Sequence, residues 1–153
     1  MSVMILAFLI GIIAGLRAMT APAAVSWAAS LGWVSLESTW AAFLGYAYTP
    51  WIFTVLALGE FVTDQLPQTP SRKVPMQFAA RIVSGALCGA ALGASAGSTL
   101  PGLVLGGLGA VVGTLGGADV RGRMARAFGS DRPAALIEDL VAVVGAFLIV
   151  AAV

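Results

Sequence analysis

The sequence predicts an all-α protein: a polytopic transmembrane helical bundle of about five spanning segments, folded as a single integral membrane domain over residues 1–153. Three observations point there. Hydrophobic residues make up 59% of the chain and charged residues 10%, against about a quarter charged in soluble domains. The apolar residues fall into long runs, and short stretches rich in proline or charge separate them. Most of the cations are confined to two of those stretches, around Arg72-Lys73 and from Arg121 to Arg132.

The first run, Val3 to Val34, is far longer than the ~20 residues that cross a ~30 Å hydrocarbon core as a helix. It must tilt, break or fold back. Within it, Gly15 to Pro22 brings together Arg17, Thr20 and a proline, and proline removes a helix donor and clashes with the preceding turn. A broken first helix is therefore expected between about Gly15 and Pro22, with the number of crossings in residues 3–34, and so the side of the N-terminus, left open. Residues 1 to 16 contain no Lys or Arg, unlike the basic start of a signal peptide, so this segment is expected to be retained in the fold.

Thr49-Pro50 suits an N-cap followed by proline in the first turn, starting a helix that runs to about Leu66. Pro67 to Pro75 then places three prolines near Arg72 and Lys73, the composition of a surface loop. Phe78 to Leu100 reads as a third apolar helix carrying Arg81, and Pro101 to Ala118 as a glycine-rich fourth. Asp119 to Arg132 reads as a basic loop, and Pro133 to Val153 as a last helix long enough to span once.

Two crossings separate the basic loops, so both fall on one side, which the positive-inside rule makes cytoplasmic. Trp27, Trp33, Trp40 and Trp51 fit an aromatic belt at the opposite interface. If residues 3–34 cross once, the two halves have the parity of an inverted repeat. The slight likeness of Gly11–Gly15 to Gly109–Gly113 is the internal similarity behind it.

Gly85, Gly89, Gly93 and Gly97 recur every fourth residue, as do Gly109, Gly113 and Gly117. Such small faces let helix backbones approach closely in lipid. They serve packing within the chain or the interface of a homodimer. Cys88, among Ala and Gly, reads as a small packing residue.

The net charge of +1 gives no field to recruit nucleic acid. With no histidine and one cysteine, neither a Cys/His zinc site nor a disulfide framework can form, and no cofactor is expected. The chemistry on offer is intramembrane charge, which is costly and marks ion or substrate pathways. The candidates are Arg17, Glu60, Asp64, Arg81, Asp119, Glu138 and Asp139. Glu60 and Asp64 share a helix face by their i, i+4 spacing. These two, with Arg81, Asp119, Arg121, Glu138 and Asp139, are expected to gather in one polar neighbourhood toward the cytoplasmic side. Arg17 is expected to stand apart at the break, holding an anion or a carboxylate. The alternative for the whole set is boundary charge, snorkelling or paired structurally.

The stretches Gly15-Leu16-Arg17-Ala18-Met19-Thr20-Ala21-Pro22-Ala23, Glu60 through Asp64 to Pro67, Ala80-Arg81, and Arg132-Pro133-Ala134-Ala135-Leu136-Ile137-Glu138-Asp139 resemble those of a bacterial family of small multi-pass inner-membrane proteins, a domain of unknown function. The resemblance covers nearly the whole chain and implies Arg17, Glu60, Asp64, Pro67, Arg81, Glu138 and Asp139 as family motif residues in the bacterial inner membrane. It supplies no activity. The lipid bilayer is the one partner expected outright, and the metal question stays open.

The leading expectation is a transporter or channel-like protein for an ion or small solute. The alternative is a non-transporting scaffold or assembly factor. A membrane-embedded enzyme acting on lipid, with Glu60 and Asp64 as acid and base or as ligands of a hard cation, ranks below both because no activated nucleophile accompanies them.

Overall fold

A computed structural model describes residues 1–66, 71 and 73–153. Pro67 and Arg72, singled out from the sequence, lie outside the described residues. The chain is all-helical: α1 (Val3–Leu16), α2 (Thr20–Ser30), a short 3-10 helix (Trp40–Gly45), α3 (Thr49–Asp64), α4 (Pro75–Ser95), α5 (Thr99–Phe128) and α6 (Asp131–Ala151). Three of them, α4, α5 and α6, are long and apolar enough to cross a membrane.

The expected break in the first apolar run is real and narrow. Helix α1 ends at Leu16, Arg17 is extended, and α2 starts at Thr20. Pro22 falls in the first turn of α2, where its missing N–H costs nothing.

Helix direction follows from the glycine contacts. Gly11 lies against Gly106 and Gly15 against Ala110 to Thr114, so α1 and α5 run parallel. Arg81 meets Gly15, while Gly85 approaches Gly11, so α4 is antiparallel to α1. Helix α2 then turns back: Arg17 bonds Asp139, yet Trp33 packs on Phe147 with ring centroids 5.7 Å apart. It runs alongside α6 toward the end where α1 began. Residues 3–34 thus run into the bundle and turn back within it, and nothing in the fold adds support for an inverted repeat.

The glycine faces are used inside the chain. A Cβ on Gly85 or Gly89 would strike the Gly106 backbone, and one on Gly109 or Gly113 would strike α1. These glycines let α1, α4 and α5 pack backbone to backbone, where dispersion replaces the absent hydrophobic drive. Gly97 is not part of that face. Its φ of +69° and open surroundings place it in the turn joining α4 to α5, a left-handed position that glycine adopts without a Cβ penalty. Cys88 is fully buried in the same core as Leu6, Ile10 and Leu92.

Two boundaries differ from the sequence expectation. Asp119 to Phe128 is not a loop but the last third of α5, which has 30 residues. Alanine, arginine and methionine there are good helix formers, and the helix stops only at Gly129, whose φ of 70° is the left-handed cap. Helix α6 accordingly starts at Asp131, with Pro133 in its first turn.

Helix α3 is the least embedded element, with only Pro50 and Ala57 buried. It leans on α2, where the Trp27 indole N–H donates to Thr54 Oγ1 at 2.9 Å and the Trp27 and Trp51 rings meet edge to face. The tryptophans lie at or toward the end of the bundle away from Asp64 and Arg121.

Candidate functional site

Ending α1 and starting α2 in the interior leaves backbone carbonyls and N–H groups without helical partners. The charged residues satisfy them. Arg81 Nη1, from α4, donates to the Gly15 and Leu16 carbonyls at 2.9 and 2.8 Å. Glu60, from α3, accepts the Ala18 N–H on Oε1 at 2.8 Å and the Met19 N–H on Oε2 at 2.9 Å. A carboxylate is the group best suited to the positive start of α2. Ser84 Oγ donates to the Ala18 carbonyl at 2.5 Å, and Thr114 Oγ1 to the Gly15 carbonyl at 3.4 Å. Four side chains from three helices thus hold the break open, and Arg81 Nη2 lies 3.5 Å from Glu60 Oε1.

Arg17 does not stand apart. It is the centre of the cluster and has no solvent exposure. Its Nη2 meets Asp64 Oδ2 at 2.7 Å, Asp139 Oδ1 at 2.5 Å and Glu138 Oε2 at 3.5 Å. Its guanidinium also sits 6.0 Å from the Phe61 ring centroid, within cation–π range. Arg17 does hold carboxylates, as expected, but it is not isolated, and its partners Asp139 and Asp64 lie 122 and 47 positions away, beyond any local signal.

Arg121, on α5, closes the other side. Its Nη1 reaches Asp64 Oδ2 at 2.7 Å and Glu138 Oε2 at 3.2 Å, while Nε and Nη2 take both oxygens of Asp131 at 3.0 and 2.6 Å. This fork geometry is what a guanidinium offers and an ammonium does not. Asp64 Oδ2 is therefore shared between two arginines. Asp131 is a further member of the network.

Of the candidates, Asp119 does not join. It pairs with Arg123 one turn on, at 3.1 Å, with both side chains more than half exposed. It lies on the outward face of α5, which the continuation of that helix fixes.

The assembled cluster holds Arg17, Arg81 and Arg121 against Glu60, Asp64, Asp131, Glu138 and Asp139. Among the described residues the cluster brings five carboxylates together with three guanidiniums. Exposure is graded through it: Glu138 is 5% exposed, Asp64 and Asp139 are 16%, and Asp131 is 59%. The network opens at the end where α3 and α5 finish, and the core around Leu6, Ile10 and Leu92 closes it from the other. Among the described residues no three ligating groups converge as a metal site.

Two apolar grooves flank the cluster. One, of about 350 Å³, lies between α2, α3 and α6 and runs from Trp33 and Leu31 to Thr20 and Phe61. The other, of about 370 Å³, lies between α1, α5 and α6, with Glu138 and Arg121 among its lining residues. No family model, no curated protein and no solved structure matches this chain.

Proposed function

We propose that the protein is a small secondary carrier of the bacterial inner membrane, coupled to protons or a small cation, with Arg17, Asp64, Arg121, Glu138 and Asp139 as the coupling site. The observation that carries this reading is the charge imbalance at the break. Buried charge is tolerated when it is paired, and among the described residues the acids of the cluster outnumber its arginines. A surplus carboxylate in such surroundings is neutralised by a proton or a counter-cation, and exchange of that charge is what coupling requires. A broken helix whose tip bears the charged residue is also the device by which membrane carriers build sites at depth.

In this reading α3, α4, α5 and α6 cross the bilayer and the α1–α2 hairpin is re-entrant. The backbone at its tip is tolerated at membrane depth because protein groups satisfy it. The end bearing Lys73 and Arg121 to Arg132 is cytoplasmic by the positive-inside rule. The tryptophans mark the far interface, and both termini lie on that far side. The exposed Asp131 makes the cytoplasm the side from which the cluster is reached.

The test is current measurement on proteoliposomes adsorbed to a sensor, challenged with a panel of inorganic ions, organic acids and amines under an imposed pH gradient. The carrier reading expects currents for one solute class that scale with the gradient and vanish in Glu138→Gln and Asp64→Asn. Silence across the panel from folded protein sinks it.

One set of observations favours the scaffold reading. Every arginine of the cluster is paired, and Glu60, Arg81 and Ser84 are engaged in holding the helix break. Those three residues serve architecture in either case. If the whole cluster is architectural, Glu138→Gln lowers stability or partner binding and there is no flux to lose.

A further inference from the structure

Helix α5 outruns the apolar layer it can cross. Its uncharged part, Thr99 to Ala118, covers ~30 Å at 1.5 Å per residue, the thickness of a hydrocarbon core. Asp119 to Phe128 continues the helix beyond it. Arg121 turns into the cluster, whereas Arg123 and Arg126, one turn apart on the opposite side of the helix, are exposed. The face that carries these two arginines continues, toward the start of α5, as Leu115, Val112 and Leu108, all of them exposed.

Both arginines reach back along the helix toward that apolar stripe. Arg123 Nε bonds Asp119 Oδ2 at 3.1 Å, one turn earlier. Arg126 Nη1 lies 3.8 Å from where a Cβ on Gly122 would sit. A helix tilts its Cα–Cβ bonds toward its own N-terminus, so arginines on a segment that leaves the bilayer by its C-terminal end are carried back to headgroup level.

The acids of the chain are engaged elsewhere. Of seven acidic residues, five lie in the cluster, Asp119 is held by Arg123, and Glu37 sits beside Ser30 and Tyr46, where α2 finishes. Arg126 has no ionic partner among the described residues, and neither have the exposed Lys73 and Arg132. Gly85 packs on Gly106 and Gly93 on Gly102, so α4 begins where α5 finishes, and Lys73 and Arg132 stand at the same end of the bundle as Arg126.

We propose that this face of α5 binds an acidic phospholipid, with Arg123 and Arg126 on its phosphate and Leu115, Val112 and Leu108 along an acyl chain. Guanidiniums form paired hydrogen bonds to phosphate oxygens, and basic residues grouped just outside a spanning helix are the pattern that retains anionic lipid. A lipid fits better than a soluble phosphate ester because the cationic and apolar parts lie in line on one helix face, at headgroup and hydrocarbon depth. The inference is independent of the carrier reading and needs no transport.

The test is native mass spectrometry of the full chain in detergent, titrated with phosphatidylglycerol and, separately, with phosphatidylcholine of the same acyl chains. Phosphatidylglycerol is expected to bind more tightly by about tenfold or more. Arg123→Gln combined with Arg126→Gln removes most of that preference, while the two corresponding lysine substitutions keep most of it because the charge remains. Glutamine sustains a helix and both positions are exposed, so the variants fold. Arg126→Gln alone, which breaks no ion pair among the described residues, loses part of the preference and decides the matter should the double variant not fold. Excess inorganic phosphate leaves the bound lipid in place. Equal affinity for the two lipids, an undiminished preference in the glutamine variants, or equal loss in the glutamine and lysine variants overturns the assignment. Displacement by inorganic phosphate assigns the arginines to a soluble anion and overturns it too.

Discussion

Arg17 Nε donates to Asp139 Oδ1 at 2.6 Å, joining the break after α1 to the middle of α6 across 122 positions of sequence. The Arg17 side chain has no solvent exposure. Removing it takes from Asp64, Glu138 and Asp139 the guanidinium that all three share. Breaking a buried ion pair from one side costs about 3–5 kcal/mol, so Arg17→Ala is expected to unfold at a much lower temperature in detergent. Arg17→Lys keeps the charge but cannot donate to both Asp64 and Asp139 in the same fork, and should fall between. A melting temperature for Arg17→Ala within a degree or two of wild type contradicts this.

Glu60 and Asp119 are both acids of the apolar chain, and the structure separates them. Glu60 caps two backbone N–H groups, whereas Asp119 forms an exposed i, i+4 pair with Arg123. Loss of a cap costs about 0.5–2 kcal/mol, and an exposed pair contributes about 0–1. Chemical denaturation should therefore rank Glu60→Ala well below Asp119→Ala in stability. The reverse order would mean that the helix break is held by something else.

Two glycines of α5 should respond in opposite ways. A Cβ at Gly106 runs into the Gly85 backbone, and at Gly116 it meets open space. Overpacking costs about 1–3 kcal/mol, while relief of glycine from a helix interior gains about 1. Gly106→Ala is expected to destabilise and Gly116→Ala to be neutral or better, as read by thermal unfolding. Equal destabilisation by both would place Gly116 in an interface, such as that of a homodimer.

Much of this fold is written locally and some of it is not. Composition and run length announce a helical membrane bundle, and Arg17 beside Pro22 announces a broken helix, because each signal lies within a few residues. Continuation of α5 through Asp119 and Arg121 was obscured, since charge after a glycine-rich stretch looks like a loop while the actual stop, Gly129, lies beyond it. The turning back of α2 has no local mark at all. It is seen only in long-range contacts such as Trp27 with Thr54 and Trp33 with Phe147. The acids of the cluster were recognisable because carboxylates in apolar helices need a reason. Their centre was not, because the partners of Arg17 come from α3 and α6.

The central claim is that the surplus negative charge around Arg17 and Arg121 couples solute movement to protons, and solute-jump currents across reconstituted membranes test it most directly. Wild-type protein is expected to give a current that grows with the pH gradient, and Glu138→Gln, folded by its thermal unfolding profile, is expected to give none. A current of the same size in the variant, or one indifferent to the gradient in both proteins, would contradict the account.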